Sequence, residues 1–588
     1  VKSYKTHNIG ELNTKLIEKE VKLSGWIHRR RDHGNIIFFD LRDRTGIAQV
    51  VFDPTADKKM HDTAEKLRNE YCVMITGKVR HRPEGTVNKK ISTGEVEVLA
   101  ETLTVLSPSE NLPIEINDNL TVSDEVRFKH RYLDLRRTES LKAIQLRHKL
   151  GKVMRDFLDK EGFYEVETPI LTKSTPEGAR DFLVPSRLAE GEFYALPQSP
   201  QLFKQILMVS GLEKYFQIAK CFRDEDLRRD RQPEFTQLDL EMSFVDEDDI
   251  FDIIERLIKK IFTDLKNVKI EIPLKRISHQ EAVERYGSDK PDLRFDMEIT
   301  DLTDLVKDCE FKIYKEVCKK NGKVASLTLK GKNKEFSRKK LDNLTEFIQE
   351  QGGGGLSYLR LSEGKIDSPI AKFFDEKTLN AIKKAAQASD NDIIFIVADP
   401  SPALTNTLLG ALRVKLAQDY GLIPEDAVSF LWVTDFPLFK YNDEKKRWES
   451  EHHPFTSPYE EDIKYFEKDP GKVRSKAYDI VVNGIEIGSG SIRIHHPDLQ
   501  KKLFKVIGIS EKEAESRFGF LLRAFKYGAP PHGGVALGFD RLLALIAGFE
   551  SIRDVIPFPK TQRGICPLTD APSKIDKEQL KELGLKII

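Results

Sequence analysis

Several things are scarce or missing in this sequence. Its 588 residues include only five cysteines, three tryptophans and six methionines. The cysteines (Cys72, Cys221, Cys309, Cys318 and Cys566) are odd in number, scattered and never spaced CxxC. That spacing excludes a disulfide scaffold and offers no zinc pattern, and it points to free thiols in a reducing compartment. An excess of one charge is also absent, because Lys+Arg and Asp+Glu stand at 95 each. Any nucleic-acid contact must therefore come from a local basic face rather than from global charge. No run approaches the length of a membrane-spanning helix. The polar stretch VKSYKTHNIGEL lacks the apolar segment of a signal peptide, and cytoplasm is the expected compartment.

The familiar nucleotide and metal motifs are missing too. There is no GxxxxGKS or GxxxxGKT, which excludes a P-loop, and GSGSIR at 488–493 lacks the third glycine and the βαβ context of a dinucleotide site. HEXXH does not occur. Glu451, His452 and His453 are consecutive, and neighbours on a strand point to opposite faces, so they make a poor zinc pair. The GGGG run at 352–355 reads as a flexible turn.

A chain of this length, 39% hydrophobic and 32% charged, should fold as several soluble domains. The expected class is α+β multidomain. Residues 1–108 read as short strands (21–30, 35–43, 46–53, 71–79) with a polar helix at 57–70, the pattern of an OB-fold β-barrel. Residues 109–130 read as a linker with two prolines. From 131 to 291 a helix with Leu146, Leu150, Val153, Met154, Phe157 and Leu158 on one stripe precedes alternating strands, an antiparallel sheet. Residues 292–425 form an inserted α+β stretch, and strands of the earlier style resume over 426–588.

Two segments carry chemistry. FRDEDLRRDRQPEF (222–235) sets Arg223 among acids, then a basic loop with Arg228, Arg229 and Arg231, then Phe235 at the start of a strand. GVALGFDRLLALIAG (534–548) puts Arg541 at the head of an apolar helix, where a cation opposes the helix dipole, and a misplaced charge argues for function. Two arginines and an aromatic suit a triphosphate site built without a P-loop.

These segments resemble motifs 2 and 3 of the class II aminoacyl-tRNA synthetases, and GFYEVETPIL (162–171) resembles their dimer-forming motif 1. A barrel ahead of the core is similar to subclass IIb. TPEGARDFLVPSR (175–187), QSPQLFKQ (198–205), HHPFTSP (452–458) and the long insertion resemble its aspartyl branch of bacterial type. The resemblance covers nearly the whole chain. It implies a class II antiparallel-sheet catalytic core, an aspartate–tRNA ligase activity, ATP as substrate, Mg²⁺ as cofactor and a homodimer. By the same resemblance Arg223, Glu486 and Arg541 are catalytic, and Glu225, Gln232 and Phe235 join them in binding ATP. Glu177, Gln201 and Asp239 take the aspartate ammonium, and Lys204 and Arg493, with His452, clamp its side-chain carboxylate. Two cations at that clamp would reject asparagine strongly, because an unpaired buried charge is costly.

Asp479 and Glu486 are the implied Mg²⁺ ligands. Seven residues apart, they would face opposite ways on one regular strand, so the NG at 483–484 should turn the chain and place them on two hairpin arms. In the barrel, Arg29, Phe38 and Gln49 are the implied anticodon contacts. With Phe39 on the opposite face, one of the two phenylalanines must point outward. His33 and Gly85 resemble the version of the family that charges asparagine tRNA beside aspartate tRNA. The rivals are an enzyme strict for aspartate tRNA and a catalytically silent RNA-binding paralogue. The latter would lack Arg223, Glu486 or Arg541, and all three are present.

Overall fold

The computed structural model describes residues 3–119, 121–175, 179–227 and 230–587. The chain divides into two compact units. One comprises residues 1–145 and 557–573, the other residues 146–556 and 574–588.

The first unit is built on a closed five-stranded barrel of Glu20–His33, Ile36–Asp43, Gly46–Phe52, Cys72–His81 and Val96–Ser107. The helix Lys58–Lys66 lies between the third and fourth strands, as the sequence pattern predicts. Period-two alternation sends Val21, Leu23, Ile27, Ile37, Phe39, Leu41, Val50 and Phe52 inward. Gly34 and Asn35 both have positive φ (61° and 67°), the I′ geometry that matches strand twist in a two-residue hairpin turn. Beyond the barrel, Glu70 accepts from Arg42 and Arg136, each at 2.7 Å. The fully buried Asp134 gathers Arg127, Arg131 and Arg137 around one carboxylate, which holds its pKa below the ordinary value although burial opposes this.

The second unit contains, among the described residues, an eight-stranded sheet. Its order is Lys275–Ser278, Phe430–Thr434, Ala477–Val482, Ile485–Ile492, His532–Gly538, Glu234–Ser243, Lys214–Phe222 and Tyr164–Glu165. The interior pairs are antiparallel, as expected, whereas the outermost pair at each edge is parallel. The run at 163–171 gives only Tyr164–Glu165 as strand. Thr168 turns its N–H to the side chain of Gln217 at 3.2 Å, and Pro169 has no N–H to donate. A second, five-stranded sheet (Thr300–Asp301, Lys323–Leu329, Ile393–Asp399, Ser357–Ser362, Lys365–Asp367) lies within residues 300–367 and 393–399, with a separate apolar cluster on each face.

The helix Glu247–Lys266 buries Ile250, Phe251, Ile253, Ile254, Leu257, Ile258, Ile261 and Phe262 at helical spacing. Trp432 stacks on Phe251 (centroids 4.4 Å apart) and donates to Glu255 at 3.0 Å. In the helix's first turn, Glu247 accepts from the Tyr459 hydroxyl at 3.1 Å, and burial pushes its pKa up to about 7. A carboxyl raised in this way favours the fold below its unfolded value of 4.5, and that contribution is lost as pH rises towards about 7. Glu247→Gln keeps an acceptor for Tyr459 without the charge. Its melting temperature, measured against wild type by differential scanning fluorimetry, should therefore rise more at about pH 8 than at about pH 4.

Candidate active site

The strand Glu234–Ser243 organises the site. Phe235, Gln237 and Asp239 share one face by the period of two and line a cavity of about 600 Å³. Arg223, Gln232, Gln201, Lys204, His452, Glu486, Arg493 and Arg541 line the same cavity. Residues spread over more than three hundred positions of sequence thus meet in one place. Glu177 lies outside the described residues, as do Arg228 and Arg229 of the basic loop.

In the cavity wall the Arg223 guanidinium sits over the Phe235 ring, 5.1 Å from its centroid, and its backbone N–H donates to Pro233 O at 2.9 Å. Among the described residues no carboxylate pairs with Arg223, so its charge remains available to an anion. Arg231 reaches Glu225 instead, at 3.0 Å. Arg541 is the third residue of the helix Phe539–Ala547, and its Nη1 donates to Glu486 O at 2.7 Å. Asp540 fixes that helix start: it accepts from Thr236 N at 2.7 Å and pairs with Arg147, whose guanidinium also covers Phe539.

The cavity is also lined by members of a buried set of charges. Lys204 Nζ lies 2.7 Å from Asp239 Oδ1 and 3.3 Å from Glu241 Oε2. Glu241 accepts both arms of Arg493, at 2.9 and 3.1 Å. The Arg493 Nη1 meets His453 Nε2 at 2.8 Å and Ser491 Oγ at 2.6 Å. All four charged side chains are 2% exposed or less. A solvated helix lysine at position 204 is therefore excluded. Burial opposes ionisation of Glu241, but Arg493 and Lys204 outweigh it and hold its pKa low. Two cations face two carboxylates, so the clamp is not a pair of bare positive charges. The rejection of asparagine expected from uncompensated cations needs revision accordingly. Asp239 Oδ2 is buried and has no hydrogen-bond partner among the described residues. Gln201 donates to Gln205, which meets His532 at 3.1 Å.

The hairpin of Ala477–Val482 and Ile485–Ile492 turns at Asn483 and Gly484, so Asp479 and Glu486 do sit on its two arms. Register pairs Ser489 with Asp479 and Glu486 with Val481, and a bulge between Ile480 and Val481 adjusts the phase. Burial and Glu486 raise the Asp479 pKa against the pull of His452. Glu486 is lowered: its burial is outweighed by Lys290, 2.9 Å away, and by Arg541. His452 stands 3.7 Å from Asp479, and despite burial that carboxylate raises its pKa. Asp479 Oδ1 is buried without a hydrogen-bond partner among the described residues. Two carboxylates, one of them with a buried oxygen that accepts no hydrogen bond among the described residues and faces His452 at 3.7 Å, fit a hard divalent ion that completes its shell with water and phosphate. Among the described residues no group of three or more His, Cys, Asp or Glu could hold a metal.

Glu241 and Lys290 are the site residues that sequence reasoning missed. Glu241 carried a signal, since it lies two places past Asp239 on the same strand face. The glycine opposite it is needed: a Cβ on Gly534 would lie 2.0 Å from Glu241 Oε2. Lys290 carried none, being nearly two hundred residues from Glu486.

In the barrel, Phe39 is buried against Phe52 and Phe38 is half-exposed, so it is Phe38 that points outward. Phe38 pairs with Arg31, and Asp40 with both Arg29 and Gln49, which puts all five on one outer face. Arg29 is exposed. Gln49 is oriented by Glu97 (2.7 Å) and Arg31 (3.2 Å). His33, the last residue of the first barrel strand, and Gly85, in a turn, are both exposed.

Residues 123–562 match the family of tRNA synthetases class II (D, K and N), and residues 21–106 match the OB-fold nucleic acid binding domain. The chain is 53% identical over 584 residues to an aspartate–tRNA(Asp/Asn) ligase of Geotalea uraniireducens, covering 99% of this chain and 98% of that protein. It is 52% identical over 591 residues to one of Hydrogenobaculum, covering 98% and 99%. Among solved structures, the asparaginyl-tRNA synthetase of Pyrococcus horikoshii complexed with asparaginyl-adenylate aligns with TM-score 0.59 at 22% identity, over 94% of this chain and 97% of that one. The aspartyl-tRNA synthetase of Entamoeba histolytica aligns with TM-score 0.58 at 20% identity, over 94% and 90%. Matched along its core, its barrel and nearly its whole length, the chain belongs to the class II tRNA synthetases of the D, K and N group.

Proposed function

We propose that the chain is an aspartate–tRNA ligase that charges both aspartate and asparagine tRNAs. In the first step the aspartate α-carboxylate attacks the α-phosphorus of ATP, and pyrophosphate leaves with the bridging electron pair. In the second, the terminal ribose hydroxyl of tRNA attacks the carbonyl of the aspartyl-adenylate and releases AMP. The observation that carries the reading is the face shared by Phe235 and Asp239, which sets a nucleotide-stacking ring and an ammonium acceptor along one strand. Arg223 takes the α-phosphate. Phe235 and Arg541 hold adenine and the γ-phosphate, with Gln232 and Glu225 beside them. Asp239, Gln201 and Glu177 receive the ammonium, and Lys204, Arg493 and His452 the side-chain carboxylate. Positioning and fixed charge carry most of the rate. Asp479 and Glu486 would hold Mg²⁺, which when bound supplies positive charge to the triphosphate oxygens.

Anticodon reading falls to Arg29, Phe38 and Gln49, where a ring can stack on a base and neighbouring donors select its edge. His33 and Gly85 set the relaxed tRNA range, a reading supported by relatives named for both tRNAs. The proposed domains are the barrel at 1–108, a linker to 130, a catalytic core split over 131–291 and 426–588, and an inserted domain at 292–425. A homodimer formed through residues 162–171 is favoured by exposure of Tyr164, Ile170 and Leu171. No helix among the described residues is long and apolar enough to cross a membrane, and a cytoplasmic site is proposed.

Aspartate-dependent ATP–pyrophosphate exchange is the first test, and exchange supported by asparagine or lysine instead would reject the substrate. Purified asparagine tRNA should then be aspartylated beside aspartate tRNA. A rate below roughly a thousandth of the cognate one, the scale at which synthetase sites discriminate, would reject the relaxed range.

A further inference from the structure

Lys290 belongs to neither sequence motif, yet its ammonium sits 2.9 Å from Glu486 Oε2 in the same cavity as Arg223 and Arg541. It reaches there from the segment that leads out of the helix His279–Tyr286 towards the second sheet. That segment is held in place. Arg413, 1% exposed in the helix Pro402–Asp419, donates to the carbonyls of Asp292 (2.8 Å), Phe295 (3.1 Å) and Met297, and its guanidinium covers the Phe295 ring at 4.0 Å. Asp292 in turn chelates Arg294. The turn of the carboxylate hairpin rests on the same segment: a Cβ on Gly484 would lie 3.3 Å from Asp292 Cβ and 3.8 Å from Lys290 O. Lys290 is therefore a cation delivered to Glu486 by a fixed backbone, at the end of a flexible four-carbon stem.

We propose that Lys290 is a charge placeholder, neutralising the Asp479–Glu486 pair in the free enzyme and moving to a triphosphate oxygen when a divalent ion and ATP arrive. This inference rests on the reading that the two carboxylates hold such an ion. A dication on Glu486 and an ammonium at 2.9 Å from the same carboxylate repel each other, so one must yield. The lysine is the one that can swing, and it is over a third exposed. Its new partners would be the oxygens that the ion itself brings into the cavity. The insertion would then contribute to ATP binding through its root.

The test is direct divalent binding without ATP, read by the electron paramagnetic resonance of free Mn²⁺, on wild type, Lys290→Met, Lys290→Arg and Glu486→Gln. Removing the competing charge should tighten Mn²⁺ binding of Lys290→Met by roughly threefold or more. The same variant should raise the KM for ATP in pyrophosphate exchange by about tenfold, the worth of one charge-assisted hydrogen bond, with the KM for aspartate unchanged. Lys290→Arg should restore most of the ATP affinity. A misfolded variant would lose Mn²⁺ affinity rather than gain it. If Glu486→Gln weakens Mn²⁺ binding while Lys290→Met leaves it unchanged or weaker, Lys290 is only a structural ion pair and the proposal falls. If Glu486→Gln itself binds Mn²⁺ as wild type does, the carboxylate-pair reading is what fails, and this inference falls with it.

Discussion

Arg223→Ala is expected to lower aspartate-dependent ATP–pyrophosphate exchange by about 10²–10³-fold, the cost of one fixed donor aimed at developing charge, while leaving thermal stability essentially unchanged. The guanidinium has no carboxylate partner among the described residues and lies over the Phe235 ring, so its removal strands no buried anion. What it loses is a planar fork held ready beside the path of the nucleotide. Arg223→Lys separates charge from shape. Lysine keeps the charge but neither the bidentate geometry nor the flat stack on Phe235, and it should recover only a minor part of the rate. The loss should fall on kcat with the aspartate KM nearly intact, because the amino-acid charges gather around Lys204 and Arg493, and neither ion pair involves Arg223. Undiminished exchange by Arg223→Ala would show that the phosphate site is elsewhere.

Much of this site was legible because its parts are local. Arg223, Phe235 and Asp239 lie within one turn and one strand, and alternation alone aligns the last two. Arg541 betrayed itself as a cation at a helix start. The Asn483–Gly484 turn predicted two arms for Asp479 and Glu486, although the bulge that sets their phase left no mark in sequence. Phe38 and Phe39 could be assigned opposite faces but not told apart, and burial of Phe39 against Phe52 decides it. Where reading failed, a distant partner or a backbone detail was responsible. Among the strands that resume after residue 426, Phe430–Thr434 and Phe439–Asn442 are separate because Asp435 takes a positive φ of 56° and Pro437 follows. Lys290 depends on a root clasped by Arg413, more than a hundred residues later. The charge balance of the amino-acid pocket was missed for a different reason: Glu241 was visible, but nothing local says that Arg493 and Lys204 converge on it.

That balance predicts a large stability effect. Glu241 is fully buried between Arg493 and Lys204, and the four-charge cluster with Asp239 sums to zero. Glu241→Gln leaves a net positive charge out of water, and breaking a buried pair from one side costs about 3–5 kcal/mol. Chemical denaturation near neutral pH should show that loss. The pH dependence supplies a check on its cause. Because the folded pKa of Glu241 lies below its usual value, its contribution is present above about pH 4.5 and lost as pH falls through the folded value. The gap between wild type and variant should therefore narrow in acid. Ligand linkage gives a second check. Aspartate brings two carboxylates and one ammonium, a net negative charge that suits the variant's surplus better than the neutral wild-type cluster. Saturating aspartate should accordingly raise the melting temperature of Glu241→Gln by more than that of wild type. A smaller shift would mean that Glu241 holds Arg493 and Lys204 in position more than it balances their charge.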